Sequence, residues 1–148
     1  MSQMTVTVHI KMLDPDIPLP TLAHPDDAGY DLYSRVDIRL APGQRALIPT
    51  GVALAIPPGY AGFVQPRSGL ALRHGISIVN TPGLIDAGYR GEVKVTLINH
   101  DPTHEVIIQR KDKICQLVIQ KVETARFRQV QELEATQRGP DGFGSTGY

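Results

Sequence analysis

The residue types best suited to chemistry gather in four stretches. The first reads Asn80-Thr81-Pro82-Gly83-Leu84-Ile85-Asp86-Ala87-Gly88-Tyr89-Arg90-Gly91-Glu92-Val93. Its three glycines let the chain bend and bring bare amide groups close to a ligand. Asp86 and Tyr89 can then face a pocket whose wall is main chain, and the competing reading is a solvated turn in which Asp86 caps amides. The second, Pro66-Arg67-Ser68-Gly69, offers a planar cation, a hydroxyl and an amide at the start of a helical turn, which suits a phosphate. Its alternative is a structural cap in which Ser68 satisfies backbone amides. The third, Asp26-Asp27-Ala28-Gly29-Tyr30-Asp31, groups three carboxylates as a hard cation or its water shell requires, although acidic turns are common. The fourth is the tail Arg138-Gly139-Pro140-Asp141-Gly142-Phe143-Gly144-Ser145-Thr146-Gly147. It is either a disordered end or an arm that lays Phe143 on a base and Arg138 on a phosphate, ordering only over ligand.

Other constellations fail on physical grounds. Gly142 to Gly147 fits G-x-G-x-x-G in form, yet only Tyr148 follows it, so no helix can carry the pyrophosphate. The lysine a Walker loop needs before Ser145 is missing. His100 and His104 have i, i+4 spacing, but Pro102 between them opposes the helix that would bring them together. No serine stands in G-x-S-x-G, and the lone Cys115 lies in the apolar run Ile114-Cys115-Gln116-Leu117-Val118-Ile119, where a buried and unreactive thiol is expected. Gln116 interrupts that run and must find a partner, either a cross-strand backbone group or a ligand. The nucleophile of any enzyme built from these parts is water, oriented or deprotonated by a carboxylate.

The elements that position these groups are short strands. Val6, Val8 and Ile10 alternate with polar neighbours, as do Val36, Ile38 and Leu40. Further strands are expected over 45–48, 52–56, 60–65, 76–79, 93–97, 105–109, 114–122 and 126–130, with residues 80–93 as a loop or hairpin. A helix of one or two turns is expected at Gly69-Leu70-Ala71-Leu72-Arg73. Such evenly spaced strands predict an all-β, single-domain jelly roll or barrel.

The chain has 148 residues, enough for one domain with a real core, and equal numbers of acidic and basic residues. Nothing global draws it to nucleic acid or an anionic membrane, so a phosphate site must be built by a few local cations. The N-terminus shows no basic stretch followed by an apolar block, and no run approaches membrane-spanning length. With a single cysteine, these features predict a cytoplasmic protein. Twelve prolines and few large aromatics make burial modest, and edge strands need cover, so a homo-oligomer is expected.

Taken together, Asp27-Ala28-Gly29-Tyr30-Asp31-Leu32, Pro66-Arg67-Ser68-Gly69-Leu70-Ala71, Gly83-Leu84-Ile85-Asp86-Ala87-Gly88-Tyr89-Arg90-Gly91-Glu92, Lys113-Ile114-Cys115-Gln116-Leu117 and the 138–147 tail resemble the five ordered motifs of the homotrimeric dUTPases. The resemblance runs from about residue 20 to the end. It implies a β-clip type jelly roll over 1–137, a flexible arm over 138–148 that closes on a neighbouring site, and a homotrimer. The implied reaction is dUTP plus water to dUMP and diphosphate, which limits uracil in DNA and supplies dUMP for dTMP synthesis. Asp86 would activate the water that attacks the α-phosphorus, and Tyr89 would pack on the deoxyribose where a 2′-hydroxyl would clash. Asn80 and the backbone from Gly83 through Leu84 and Ile85 to Asp86 would read the uracil edge, and Lys94 would also bind substrate. Arg67, Ser68, Gly69 and Gln116 would hold phosphates, and Arg138, Phe143, Gly144 and Ser145 would close from the arm. Magnesium would ride on the triphosphate with no direct protein ligand, Asp31 acting through metal-bound water.

Two positions depart from the family's pattern: Lys111 stands where a glycine is common, and Cys115 where an alanine is common. Neither removes a reacting group. Alternatives on the same scaffold are a dCTP deaminase, a bifunctional deaminase and dUTPase, or a non-catalytic nucleotide-binding regulator.

Overall fold

The computed structural model describes residues 4–147. Met1–Gln3, the start of the N-terminus read as having no leader, and Tyr148, the end of the expected arm, lie outside the described residues. Eleven strands and one short helix follow in order: β1 (His9–Met12), β2 (Thr21–Leu22), β3 (Tyr30–Tyr33), β4 (Ile38–Leu40), β5 (Arg45–Ala55), β6 (Tyr60–Gln65), α1 (Ser68–His74), β7 (Ile76–Ile78), β8 (Gly83–Ile85), β9 (Glu92–Asn99), β10 (Val106–Ile108) and β11 (Lys113–Lys121). They form a sheet of order β1-β5-β9-β7, a second of order β2-β3-β11-β6-β8, and the pair β10-β4. Every pairing is antiparallel. The expected all-β jelly-roll architecture is therefore present.

Alternation decides which face goes in. On β9, Val93, Val95 and Leu97 are buried while Lys94 is exposed, and β7, β8 and β10 each bury their two outer residues. Ile48, Val52 and Leu54 of β5 join them in one core with Val64, Ile85, Ile114 and Leu117 from the facing sheet. Each such side chain contributes roughly 1.5–3 kcal/mol relative to exposure, so the sandwich holds without a disulfide. Cys115 is fully buried in that core. Burial pushes its thiol up to about 12, with the nearby Asp31 charge adding to the shift, so the thiol is inert as expected.

Several elements differ from the periodicity. The stretches 45–48 and 52–56 belong largely to one strand, β5, whose middle is bulged: Pro49 stands opposite Lys94 and Ala53 opposite Glu92, so three residues of β5 face Val93 alone. A proline and a glycine inside a strand mark such a bulge, and read in sequence they look like a break. Strand β1 begins later than the alternation from Val6, because only residues from His9 find a partner on β5. Strand β3 was hidden by the acidic residues around it. The stretch 126–130 is no strand: residues 121–141 are all exposed, Phe127 at 95%. Its backbone meets no ladder, and a lone extended segment has nothing to hold it in register.

The helix is close to expectation. Arg67 stands at its N-cap, with no side-chain cap hydrogen bond, so Ser68 does not serve as the structural cap. Gly75 ends it at φ 67°, where its N–H reaches the carbonyls of Leu70 and Ala71. That left-handed position is what glycine supplies most cheaply.

Candidate active site

Two clusters emerge at different places on the β2-β3-β11-β6-β8 sheet. In the first, Asp31, Gln116 and Gln65 lie in one row across β3, β11 and β6. Asp31 is only 3% exposed because two cations cover it. The Lys113 Nζ lies 3.2 Å from one of its oxygens and the Arg67 Nε 3.8 Å from the other. Arg67 also donates from Nη1 to the Lys113 carbonyl at 3.3 Å. Gln116 is half-buried, and among the described residues its side chain makes no protein hydrogen bond. Gly29 is small for its sake: a Cβ there would sit 3.0 Å from the Gln116 Cβ. Ser68 and Gly69 continue the cluster onto the uncapped start of α1, both exposed. This is a surface cluster of two cations around one carboxylate, with a hydroxyl and the free amides of a helix start, suited to an anion of several charges.

The second cluster is the hairpin from β7 through β8 to β9. A cavity of about 70 Å³ is lined by Asn80, Gly83, Leu84, Ile85 and Lys94, over a floor of Val64, Ile78 and Val95. Strand β8 is the last strand of its sheet, paired with β6 on one side alone. Its other side turns unpaired N–H and C=O groups outward, a fixed alternation of donor and acceptor. Asp86 follows β8 directly and is exposed, and its carbonyl accepts the Tyr89 N–H at 3.1 Å. The Tyr89 hydroxyl donates to the Glu92 carbonyl at 2.8 Å, folding the ring back over Gly91. A Cβ on Gly91 would lie 2.5 Å from that hydroxyl oxygen, so no larger residue fits while the ring stays there.

One chain does not unite the two clusters. Ile85, next to Asp86, stands opposite Gly62, while Gln116 stands opposite Gln65, three residues further along and on the other flank of β6. At about 3.3 Å per residue and about 4.8 Å per strand, that is roughly 14 Å. Asp86 extends beyond one end of this span, and Arg67 and Ser68 beyond the other. Arg138, Phe143, Gly144 and Ser145 reach neither cluster. Arg138 donates from Nε to the Asp141 carbonyl at 2.9 Å within the arm, and Phe143 is fully exposed.

The carboxylates of the third stretch also part company. Asp27 accepts the His24 N–H at 2.9 Å in a local turn while Asp31 faces Arg67 and Lys113. Among the described residues no group of three or more His, Cys, Asp or Glu could hold a metal ion. His104 pairs with Asp101 through Nδ1 at 3.2 Å on an exposed turn. Among the described helices none is long and apolar enough to cross a membrane.

Sequence reasoning missed Lys113 and Glu92 as parts of these clusters. Lys113 sits in a quoted motif, and its charge beside Asp31 needed only the β3–β11 pairing to be seen. Glu92 is held by Arg35, 57 residues away, a contact that no local spacing reports.

The chain is similar to known proteins over nearly its whole length. The dUTPase family model matches residues 15–147. The deoxyuridine 5'-triphosphate nucleotidohydrolase of Thermobifida fusca (strain YX) is 59% identical over 143 residues, covering 97% of this chain and 80% of its own. The dUTPase of Staphylococcus bacteriophage 80alpha, solved with dUpNHpp, superposes with a TM-score of 0.88 at 32% identity, over 97% of this chain and all of that one. A mutant dUTPase from phage phi11 of S. aureus, described with a structural Mg(II) ion, superposes with a TM-score of 0.81 at 30% identity, over 88% of this chain and all of that one. These names do not favour the deaminase alternatives. Sharing the family's motifs across nearly its whole length and the fold of its solved members, the chain belongs to the dUTPase family.

Proposed function

We propose that this dUTPase works as a homotrimer in which each site joins the β8 hairpin of one chain to the Arg67–Gln116 cluster of a second and the arm of a third. The reaction is dUTP plus water to dUMP and diphosphate. The observation that carries the site assignment is the free edge of β8, which lines a cavity directly before the exposed carboxylate of Asp86. A main-chain edge with Asn80 offers uracil a rigid set of donors and acceptors. Cytosine, with its donor and acceptor groups exchanged, would leave buried polar atoms unpaired.

Asp86 takes the proton of a water and aims the water's oxygen at the α-phosphorus, and diphosphate leaves in line. Arg67, Ser68, Gly69 and Gln116 hold the departing phosphates, and Lys94 lies beside the nucleoside. Tyr89 covers the deoxyribose. Arg138, Phe143, Gly144 and Ser145 from a neighbour's arm shut out water over the bound nucleotide. The backbone positions that carry Asp86 and Arg67 stand well apart on one chain, which favours a site that takes them from different chains. The exposed Phe127 and Leu133, in the segment before the arm, supply apolar surface for a neighbouring chain to cover.

Magnesium carried by the triphosphate would supply charge neutralisation. Asp31, the carboxylate beside the phosphate-holding residues, is already engaged by Lys113 and Arg67, which fits a hydrogen bond to metal-bound water better than direct ligation. A cytoplasmic setting is part of this reading.

The test is diphosphate release from dUTP by wild type and Asp86→Asn, with dCTP, dTTP and UTP alongside. Loss of the base should cost roughly 10²- to 10⁴-fold. Comparable rates would reject Asp86, and steady ammonia from dCTP would favour a deaminase.

A further inference from the structure

The start of β9 is fastened in an unusual way. At the β5 bulge the ladder between Pro49 and Ala53 is broken, and side chains replace its missing bonds. The Thr50 hydroxyl donates to the Val93 carbonyl at 2.6 Å, and the Gly51 N–H donates to the Glu92 carboxylate at 2.9 Å. The same Glu92 oxygen accepts from Arg35 Nη1 at 3.1 Å. Arg35 is itself fixed from two sides, by Asp14 at 3.3 Å and the Leu13 carbonyl at 3.2 Å. Arg110 completes the frame, donating to Asp14 at 2.6 Å and to the Arg35 carbonyl at 2.8 Å. The far end of this chain of contacts is the Glu92 carbonyl, which receives the Tyr89 hydroxyl.

The Tyr89 backbone is held by the turn to Asp86 and by Arg90, which donates to the Tyr89 carbonyl at 3.3 Å. Its ring is 47% exposed, and the bond to the Glu92 carbonyl is the hydrogen bond its hydroxyl makes among the described residues. The ring's height above the cavity therefore depends on where residue 92 is pinned. A ring released from this bond can tilt away from the cavity, still packing on a sugar while closing less tightly the space that a 2′-hydroxyl would need.

We propose that Arg35 and Glu92 are positioning residues that set the Tyr89 ring, so that they govern selectivity for deoxyribose over ribose more than turnover of dUTP. This rests on the reading of Tyr89 as the sugar-facing ring. The group discriminated against is a ribonucleoside triphosphate of the same base.

The experiment compares kcat/KM for dUTP and UTP in wild type, Arg35→Met, Arg35→Lys, Glu92→Gln, Tyr89→Phe and Tyr89→Ala. Arg39→Met, which breaks the exposed Arg39–Glu105 pair on the separate β10-β4 ribbon, serves as the control for a lost surface ion pair. Arg35→Met, Glu92→Gln and Tyr89→Phe should each narrow the dUTP-to-UTP ratio by about tenfold, in the range that a small steric difference can provide. Arg35→Lys should recover part of it, and Arg39→Met should leave it unchanged. Arg35→Met combined with Tyr89→Phe should be no more permissive than either alone, since both cut one connection. Tyr89→Phe removes only an exposed hydroxyl, so the test survives even where Arg35→Met fails to fold. An unchanged ratio in Tyr89→Phe, with a relaxed ratio in Tyr89→Ala, overturns the positioning role while leaving the sugar-facing ring intact. An unchanged ratio in Tyr89→Ala removes the reading of Tyr89 itself and the proposal with it.

Discussion

Two inactive variants should restore each other. Asp86→Asn removes the proposed base and Arg67→Met the proposed phosphate clamp, and each alone should lose nearly all turnover. The two residues stand beyond opposite ends of a span of roughly 14 Å on one chain, and in the proposed trimer they serve one substrate from different chains. In trimers assembled at random from equal amounts of the two variants, a given site draws its Asp86 from an intact donor half the time. It draws its Arg67 from an intact donor half the time as well. About one site in four is then wild type, and the mixture should recover about a quarter of wild-type activity. Sites built within one chain would recover none. The assay is diphosphate release after the two variants are unfolded together and refolded, against each refolded alone. Persistent inactivity of the mixture, with trimers confirmed by light scattering, would refute the shared site.

Three further outcomes follow from particular residues. Lys111 holds φ 74° at the third position of the turn closed by the Asp112 N–H on the Gln109 carbonyl. A left-handed non-glycine residue costs about 1–2 kcal/mol, and glycine returns about 0.5–1 kcal/mol of that through its looser unfolded state. Lys111→Gly should accordingly gain about 0.5–1 kcal/mol in urea unfolding at fixed protomer concentration, and a loss of stability would contradict it. Asp14 is held well below the ordinary carboxylate value of 3.8, first by hydrogen bonding from Arg110 and further by Arg35. Its contribution is complete above that value and is lost as the pH falls below it, because the unfolded chain takes up the proton first. Asp14→Asn should flatten the acid side of the stability profile, and an unaltered slope between about pH 5 and 2 would count against the network. Truncation before Arg138 should leave the thermal transition in place while turnover collapses, because residues 138–147 make no ladder with the body; full activity of the truncated chain would remove the closing arm.

The sequence by itself determined the parts. Period-two alternation at Val93, Val95 and Leu97 set the face that β9 buries, and the 60–65 strand matches β6 end to end, because a half-buried strand has to repeat every two residues. Residue chemistry alone marked Asp86 as a carboxylate able to face a pocket, Arg67 and Ser68 as able to hold a phosphate, and Cys115 as inert; the base role of Asp86 came from the five motifs taken together. Side-chain type and local spacing are enough for such judgements. Tertiary structure decided the relations. It made β8 an edge strand with a bare main-chain flank, and it joined 45–48 and 52–56 through a bulge that reads as a break. Arg35 met Glu92 only across the folded sandwich, and Asp86 was placed on a different flank of β6 from the Gln116 row that Arg67 adjoins. Each of these depends on which strands become neighbours and in what register, and that is fixed by burial of the whole core rather than by any window of the chain.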